Sequence, residues 1–184
     1  MRPSSRRSRL GLALIAPAVL ALAGCVGTTS TGAAEAPSAS ASSSASAAFP
    51  VTVTGANGPV TLQAAPEQIV VMGPSATETL FAIGAGPQVE AVDDNSNYPA
   101  QAPKTKLSAF QPNAEAVAGY TPDLVVVSND ANGLVASLTK LKIPVLVLPA
   151  PKNLDDAYEQ MPTLGKVTGH ADDAEKVVTT TKDR

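Results

Sequence analysis

Four short apolar runs, separated by helix-forming stretches, constrain this chain more than any other feature. They are Ile69-Val-Val-Met72, Val89 to Val92, Leu124-Val-Val-Val127 and Pro144-Val-Leu-Val-Leu148. A strand with one face in water alternates polar and apolar residues, whereas a strand covered on both faces does not. Short, largely apolar runs joined by helices therefore predict a parallel sheet sandwiched between helical layers. The helical stretches are Ser75 to Ile83, a short one behind Asn113, Gly133 to Leu141 and Leu154 to Lys166. A last helical run opens at Asp172-Asp173 and continues to the end of the sequence. Ser75 and Glu78 have capping-box spacing, Gly84 and Gly86 end the first helix, and Asn113 is an N-cap candidate. Ahead of these units, Phe49-Pro-Val-Thr-Val-Thr54 and Val60-Thr-Leu62 flank an Asn57-Gly58 pair, the pattern of a β-hairpin. The expected fold class is α/β: one lobe with a roughly four-stranded parallel sheet, covered by helices and preceded by a β-hairpin. No fixed-length repeat suggests a solenoid.

The first 48 residues do not follow this pattern. Arg2, Arg6, Arg7 and Arg9 precede an apolar stretch from Leu10 to Leu22. That stretch is shorter than the ~20 apolar residues a spanning helix needs, so residues 1–24 read as an export signal. Leu22-Ala-Gly-Cys25 contains the only cysteine and resembles the lipobox of bacterial lipoproteins. The resemblance implies lipidation of Cys25 and anchoring at the extracytoplasmic face of the cell membrane, since two or more acyl chains anchor stably. An ordinary secretory peptide with a chance cysteine is the alternative. Residues 25–48 continue as a Ser/Ala-rich tract without apolar periodicity, a disordered tether. The globular part begins at Phe49. With a single cysteine, no intrachain disulfide can form.

Charge excludes one large class of function. The chain has 13 basic and 16 acidic residues, and four of the basic ones belong to the leader. No Lys or Arg lies between Arg9 and Lys104. Nucleic-acid binding needs a basic stripe to neutralise phosphates, and there is none.

Several phrases occur in a familiar order: Gln68-Ile-Val-Val-Met-Gly-Pro-Ser-Ala-Thr-Glu-Thr-Leu80, Ala85-Gly-Pro-Gln-Val-Glu-Ala-Val92, Tyr98-Pro99, Pro112-Asn-Ala-Glu115 and Pro122-Asp-Leu-Val-Val126. Together they resemble the N-terminal lobe of the ABC-importer substrate-binding proteins for vitamin B12, ferric siderophores and haem. The resemblance implies two α/β lobes bridged by a rigid helix, with the ligand between them. On this basis residues 49–168 are the N-terminal substrate-binding lobe, residues 169–184 begin the interlobe helix, and the second lobe is absent. The implied function is binding and delivery of an iron complex or cobalamin to an ABC permease, by a lipid-anchored monomer without a cofactor. The alternative is a degenerate one-lobe surface lipoprotein that binds no small molecule.

Candidate site residues follow from position and from that resemblance. Tyr98 and Phe110 are two of six aromatic residues, both in the irregular segment after the second apolar run. Open α/β sheets bind ligands at the carboxyl ends of their strands, and aromatic rings offer stiff, flat contact area. In the resembled family, aromatic residues of this loop line the cleft. Packing of each ring onto its own lobe is the competing role. Asn95, Ser96, Ser75 and Thr77 are neighbouring hydrogen-bonding candidates, although capping also suits Ser75. Glu115, in the first turn behind Asn113, complements the helix dipole. The resemblance additionally implies that it docks onto permease arginines.

The absence of any Arg between residues 10 and 183, with Asp93 and Asp94 in the loop, suits a corrinoid or hydroxamate better than an anionic catecholate. His170 is the only histidine and stands alone in a turn, so no metal site is expected. Asp155-Asp156 and Asp172-Asp173 stand at helix starts, where negative charge is favoured. Enzymatic function is not expected. Gly73-Pro-Ser-Ala-Thr77 has neither dinucleotide-binding nor P-loop spacing, and no G-x-S-x-G elbow or Ser/His/Asp set occurs.

Overall fold

The computed structural model describes residues 49–183. The leader, Cys25 and the tether lie outside the described residues. Among those described, no helix is long and apolar enough to cross a membrane.

The chain enters through a hairpin of β1 (Val51–Gly55) and β2 (Gly58–Leu62). Gly55 pairs with Gly58, so Ala56 and Asn57 form a two-residue turn. Gly58 follows at φ 100°, a conformation glycine adopts without a Cβ penalty. The Asn-Gly pair thus straddles the end of the turn. The tip has a second task. Ala56 N donates to Val147 O at 2.8 Å. Asn57 Nδ2 donates to Val145 O at 2.8 Å, and Asn57 Oδ1 accepts from Val147 N at 3.0 Å. Asn57 thereby acts as a piece of strand against an otherwise open sheet edge.

The sheet contains β3 (Ile69–Met72), β4 (Val89–Val92), β5 (Leu124–Val127) and β6 (Val145–Val147). Their spatial order is β4-β3-β5-β6, and every pairing is parallel. Strand alternation divides the buried side chains between two cores. Ile69, Val71, Leu124, Val126 and Leu146 face α1 (Pro74–Ala82), α4 (Leu154–Thr168), α5 (Ala171–Lys182) and the hairpin. Val70, Met72, Val125, Val127, Val145 and Val147 face α2 (Ala114–Ala118) and α3 (Leu134–Lys140). Covering both faces explains the unbroken apolar runs of β3, β5 and β6, whereas the edge strand β4 exposes Glu90. Leu80 and Leu138 are fully buried anchors on opposite faces, and truncating either to alanine would cost about 2–5 kcal/mol.

Helix ends show which local signals prevailed. Asn113 caps α2 as expected, accepting from Ala116 N at 2.9 Å. Ser75 does not cap α1. That helix starts one residue earlier, with Gly73 at the N-cap and Pro74 in the first turn, and no side chain bonds the cap. Proline's fixed φ and missing N–H favour it at that position, which places Ser75 inside the helix. At the other end, Gly84 N donates to Phe81 O and Ala85 N to Leu80 O, a Schellman ending with Gly84 at φ 87°. The end of α3 has the same bonds, Lys142 N to Thr139 O and Ile143 N to Leu138 O, with Lys142 at φ 61° where glycine is favoured. Helix α4 is capped by Asn153, runs through Pro162 and ends at Gly169. It passes so close to α5 that a Cβ on Gly165 would lie 2.6 Å from Ala174 Cβ.

Candidate functional site

The parallel sheet gives the molecule two unlike rims. The carboxyl rim carries the loops after β3, β4 and β5. The chain leaves β3 towards β4, and β5 towards β6 on the other side, so the connections diverge between β3 and β5. Open α/β sheets place their crevice at such a switch point. Gly73 and Ser128 face each other across it: a Cβ on Gly73 would collide with Ser128 Oγ. Ser128 and the exposed Asn129 are rim residues that motif reading missed. The reversal of strand order that marks them follows from topology, not from any local signal.

The loop after β4 carries most of the candidate residues. Tyr98 is 68% exposed and Phe110 is 77% exposed, so neither ring packs onto its own lobe. Holding large apolar rings in water is unfavourable. Asn95 is exposed, with its Nδ2 donating to Asp94 Oδ1 at 3.1 Å. Ser75 is half-buried at the start of α1.

Thr77 and Ser96 have a different placement from the one expected. Both are buried, at 0% and 4% exposure, and their hydroxyls bond each other at 3.1 Å. Thr77 Oγ1 also donates to Gly73 O at 3.0 Å, and Ser96 Oγ donates to Asp93 Oδ1. They face the interior and hold the loop from behind. Sequence position could not separate them from Asn95, because only burial distinguishes the three.

Glu115 is exposed in the first turn of α2, which begins at the same rim. A shallow hollow of about 350 Å³ lies beside it, bordered by Asn113, Asn132 and Ser137. Asn132 holds φ 55° in the turn leading into α3.

The opposite, amino rim holds a hollow of about 510 Å³ between the end of β2 and the turns entering β3, β5 and β6. One carboxylate at its border is engaged with backbone. Asp123 Oδ2 accepts from Glu67 N at 2.9 Å and from Gln68 N at 3.1 Å. With its amide turned, the Gln68 side chain donates to Tyr120 O, Thr121 O and Thr121 Oγ1, clasping a turn in which Thr121 sits at φ 50°. Nearby, His170 Nδ1 lies 3.7 Å from Asp173 Oδ2, and Lys176 Nζ lies 3.1 Å from Asp173 Oδ1. Hydrogen bonding and charge from Lys176 hold the Asp173 carboxyl below the usual carboxylate range, with a smaller contribution from His170. Among the described residues, no group of three or more His, Cys, Asp or Glu has the geometry to hold a metal ion.

The periplasmic binding protein family matches residues 69–184, from β3 to the end of the sequence. The chain belongs to that family. A cobalamin-binding protein of Halobacterium salinarum is 34% identical over 143 residues, covering 74% of this chain and 39% of the relative. The uncharacterized ABC transporter substrate-binding lipoprotein YvrC of Bacillus subtilis is 31% identical over 183 residues, covering 96% of this chain and 56% of the relative. Among solved structures, a possible iron-binding periplasmic solute-binding protein of Staphylococcus epidermidis superposes with a TM-score of 0.58 at 25% identity. That superposition covers 65% of this chain and 49% of the other. The chain therefore spans about half the length, or less, of these relatives. The periplasmic binding protein lobe seen here is the α/β lobe expected from the four apolar runs.

Proposed function

We propose that this chain is the N-terminal ligand-facing lobe of a lipid-anchored substrate-binding protein that delivers an iron complex or cobalamin to an ABC importer. The observation that carries this reading is the exposure of Tyr98 and Phe110 in the loop that leaves the carboxyl end of β4. Two stiff rings in water suit a bulky, partly apolar ligand, whose burial against them supplies binding energy without side-chain ordering. Asn95 and Ser75 supply hydrogen-bonding groups on the same rim. The loop after β4 carries Lys104 and Lys106 but no Arg, and the absence of Arg between residues 10 and 183 favours a corrinoid or hydroxamate complex over a strongly anionic one. Helix α5 begins the interlobe helix in this reading, and Cys25 anchors the chain at the extracytoplasmic face. The name of the Bacillus subtilis relative supports that location. No bond is made or broken; selectivity comes from shape and from closure of a second lobe.

Equilibrium dialysis of the full chain against cyanocobalamin, a ferric trihydroxamate and haemin tests the ligand reading. Retention of the corrinoid or the hydroxamate, lost in Tyr98→Ala and Phe110→Ala, is the expected result. Retention that survives removal of both rings overturns it. If no probe is retained, the one-lobe surface lipoprotein without a small-molecule ligand takes its place. Glu115 supplies the docking charge for permease arginines, a pairing that sets orientation more than affinity. In a two-lobed form, Glu115→Arg is expected to abolish uptake and leave ligand binding intact; unchanged uptake rejects the docking role. Labelled palmitate incorporated into the wild type, and absent from Cys25→Ser, tests the anchor.

A further inference from the structure

The buried group Asp93, Ser96 and Thr77 lies directly behind the loop that carries Tyr98. Asp93 ends the β4 ladder, with its N–H on Val71 O at 3.0 Å, and is only 2% exposed. Among the described residues the ion pairs all involve Asp173, so the Asp93 carboxylate is met by neutral donors alone. Those donors are the Ser96 hydroxyl and, at 3.4 Å, the Asn95 N–H. Each hydroxyl has one proton, and the Ser96 proton goes to the carboxylate. Ser96 Oγ is therefore the acceptor towards Thr77, and the chain of bonds runs from Thr77 through Ser96 to Asp93. Thr77 Oγ1 shares its proton between Ser96 Oγ and Gly73 O. A buried carboxylate left without donors is costly, so Ser96 is held to Asp93, and the Thr77 hydroxyl ties that pair to α1.

We infer that Asp93, Ser96 and Thr77 form a latch that fastens the β4 loop to the first turn of α1 and so positions Tyr98 for the ligand. This rests on the ligand-facing reading of the carboxyl rim. Tyr98 follows Ser96 by two residues, and an unfastened loop would let its ring fold back onto the lobe. Fixing the backbone in advance lowers the ordering cost at binding. Thr77 and Ser96 are positioning residues here, acting through the loop without touching the ligand.

Two shape-matched variants separate a latch from simple packing. Thr77→Val keeps the branched shape and removes the hydroxyl, whereas Thr77→Ser keeps the hydroxyl and removes a methyl. Hydrogen exchange on the full chain without ligand is expected to quicken about tenfold at the amides of residues 94–97 in Thr77→Val and to change less than about twofold in Thr77→Ser. Ser96→Ala, which removes the middle hydroxyl, is expected to repeat the Thr77→Val result. The reverse order, or Val and Ala variants that exchange like the wild type, overturns the latch. Dialysis against cyanocobalamin and a ferric trihydroxamate then tests positioning. Looser exchange with about tenfold weaker retention supports it, and looser exchange with unchanged retention overturns it. If the wild type retains neither probe, the ligand reading fails, while the exchange data still decide the latch.

Discussion

The two rims of the parallel sheet are built from equivalent loops and finished in opposite ways. At the amino rim, side chains bond neighbouring backbone: Asp123 holds the turn into β3, and Gln68 clasps the turn into β5. Pro66, Pro122 and Pro144 stiffen the same entries. At the carboxyl rim the latch lies beneath the surface, and the loop above it presents Tyr98 and Phe110 to solvent. The larger hollow belongs to the closed rim, and the exposed rings belong to the other. Asp123, the carboxylate bordering that hollow, already accepts two backbone N–H groups, whereas the two rings at the other rim face water.

Removing Tyr98 and Phe110 together breaks the comparison most directly. Affinity for the retained probe is expected to fall by more than about a hundredfold, as two buried rings each contribute about 1.5–3 kcal/mol. Urea unfolding should shift by less than about 0.5 kcal/mol, because neither ring packs in the free lobe. A large loss of stability would mean that the rings serve the fold instead. Asp123→Ala probes the other rim. It frees two backbone N–H groups at the surface and should cost about 1–2 kcal/mol in urea unfolding while leaving dialysis unchanged. Lys142→Gly, also at the amino rim, should raise stability by about 1 kcal/mol, since the residue occupies the left-handed position of a Schellman ending. No gain would show that the lysine's contacts already offset its strain.

The smallest effect concerns pH. The Asp173 carboxyl is held below its ordinary range in the folded chain, so its contribution is present above the unfolded value, about 4, and is lost as pH falls through the folded one. The stability difference between wild type and Asp173→Asn should narrow between neutral pH and pH 3. The group is exposed, so the change is at the edge of measurement. A difference that widens on acidification would contradict the sign.

Much of the fold was legible because its signals are local. Short apolar runs alternating with helical stretches read as strands of a covered sheet, and Asn113 could be read as a cap from its place ahead of a short helix. Ser75 misled because Pro74, one residue earlier, starts the helix on stronger grounds. Asn57 was legible as a turn residue, but its pairing with Val145 and Val147 joins residues about 90 positions apart. The candidate site was legible as a segment and not as a set of roles. Asn95, Ser96 and Tyr98 read alike as loop residues, yet the second is sealed inside and the other two face water.

The amino-acid order alone determined the layered α/β lobe and the segment that rims it, because hydrophobic period and turn chemistry act over a few residues. Which hydroxyls became a latch, which strand edge Asn57 covers and which rim keeps its rings exposed were decided by tertiary structure. Burial and long-range hydrogen bonding depend on what the rest of the chain brings alongside, and no short window of sequence contains that.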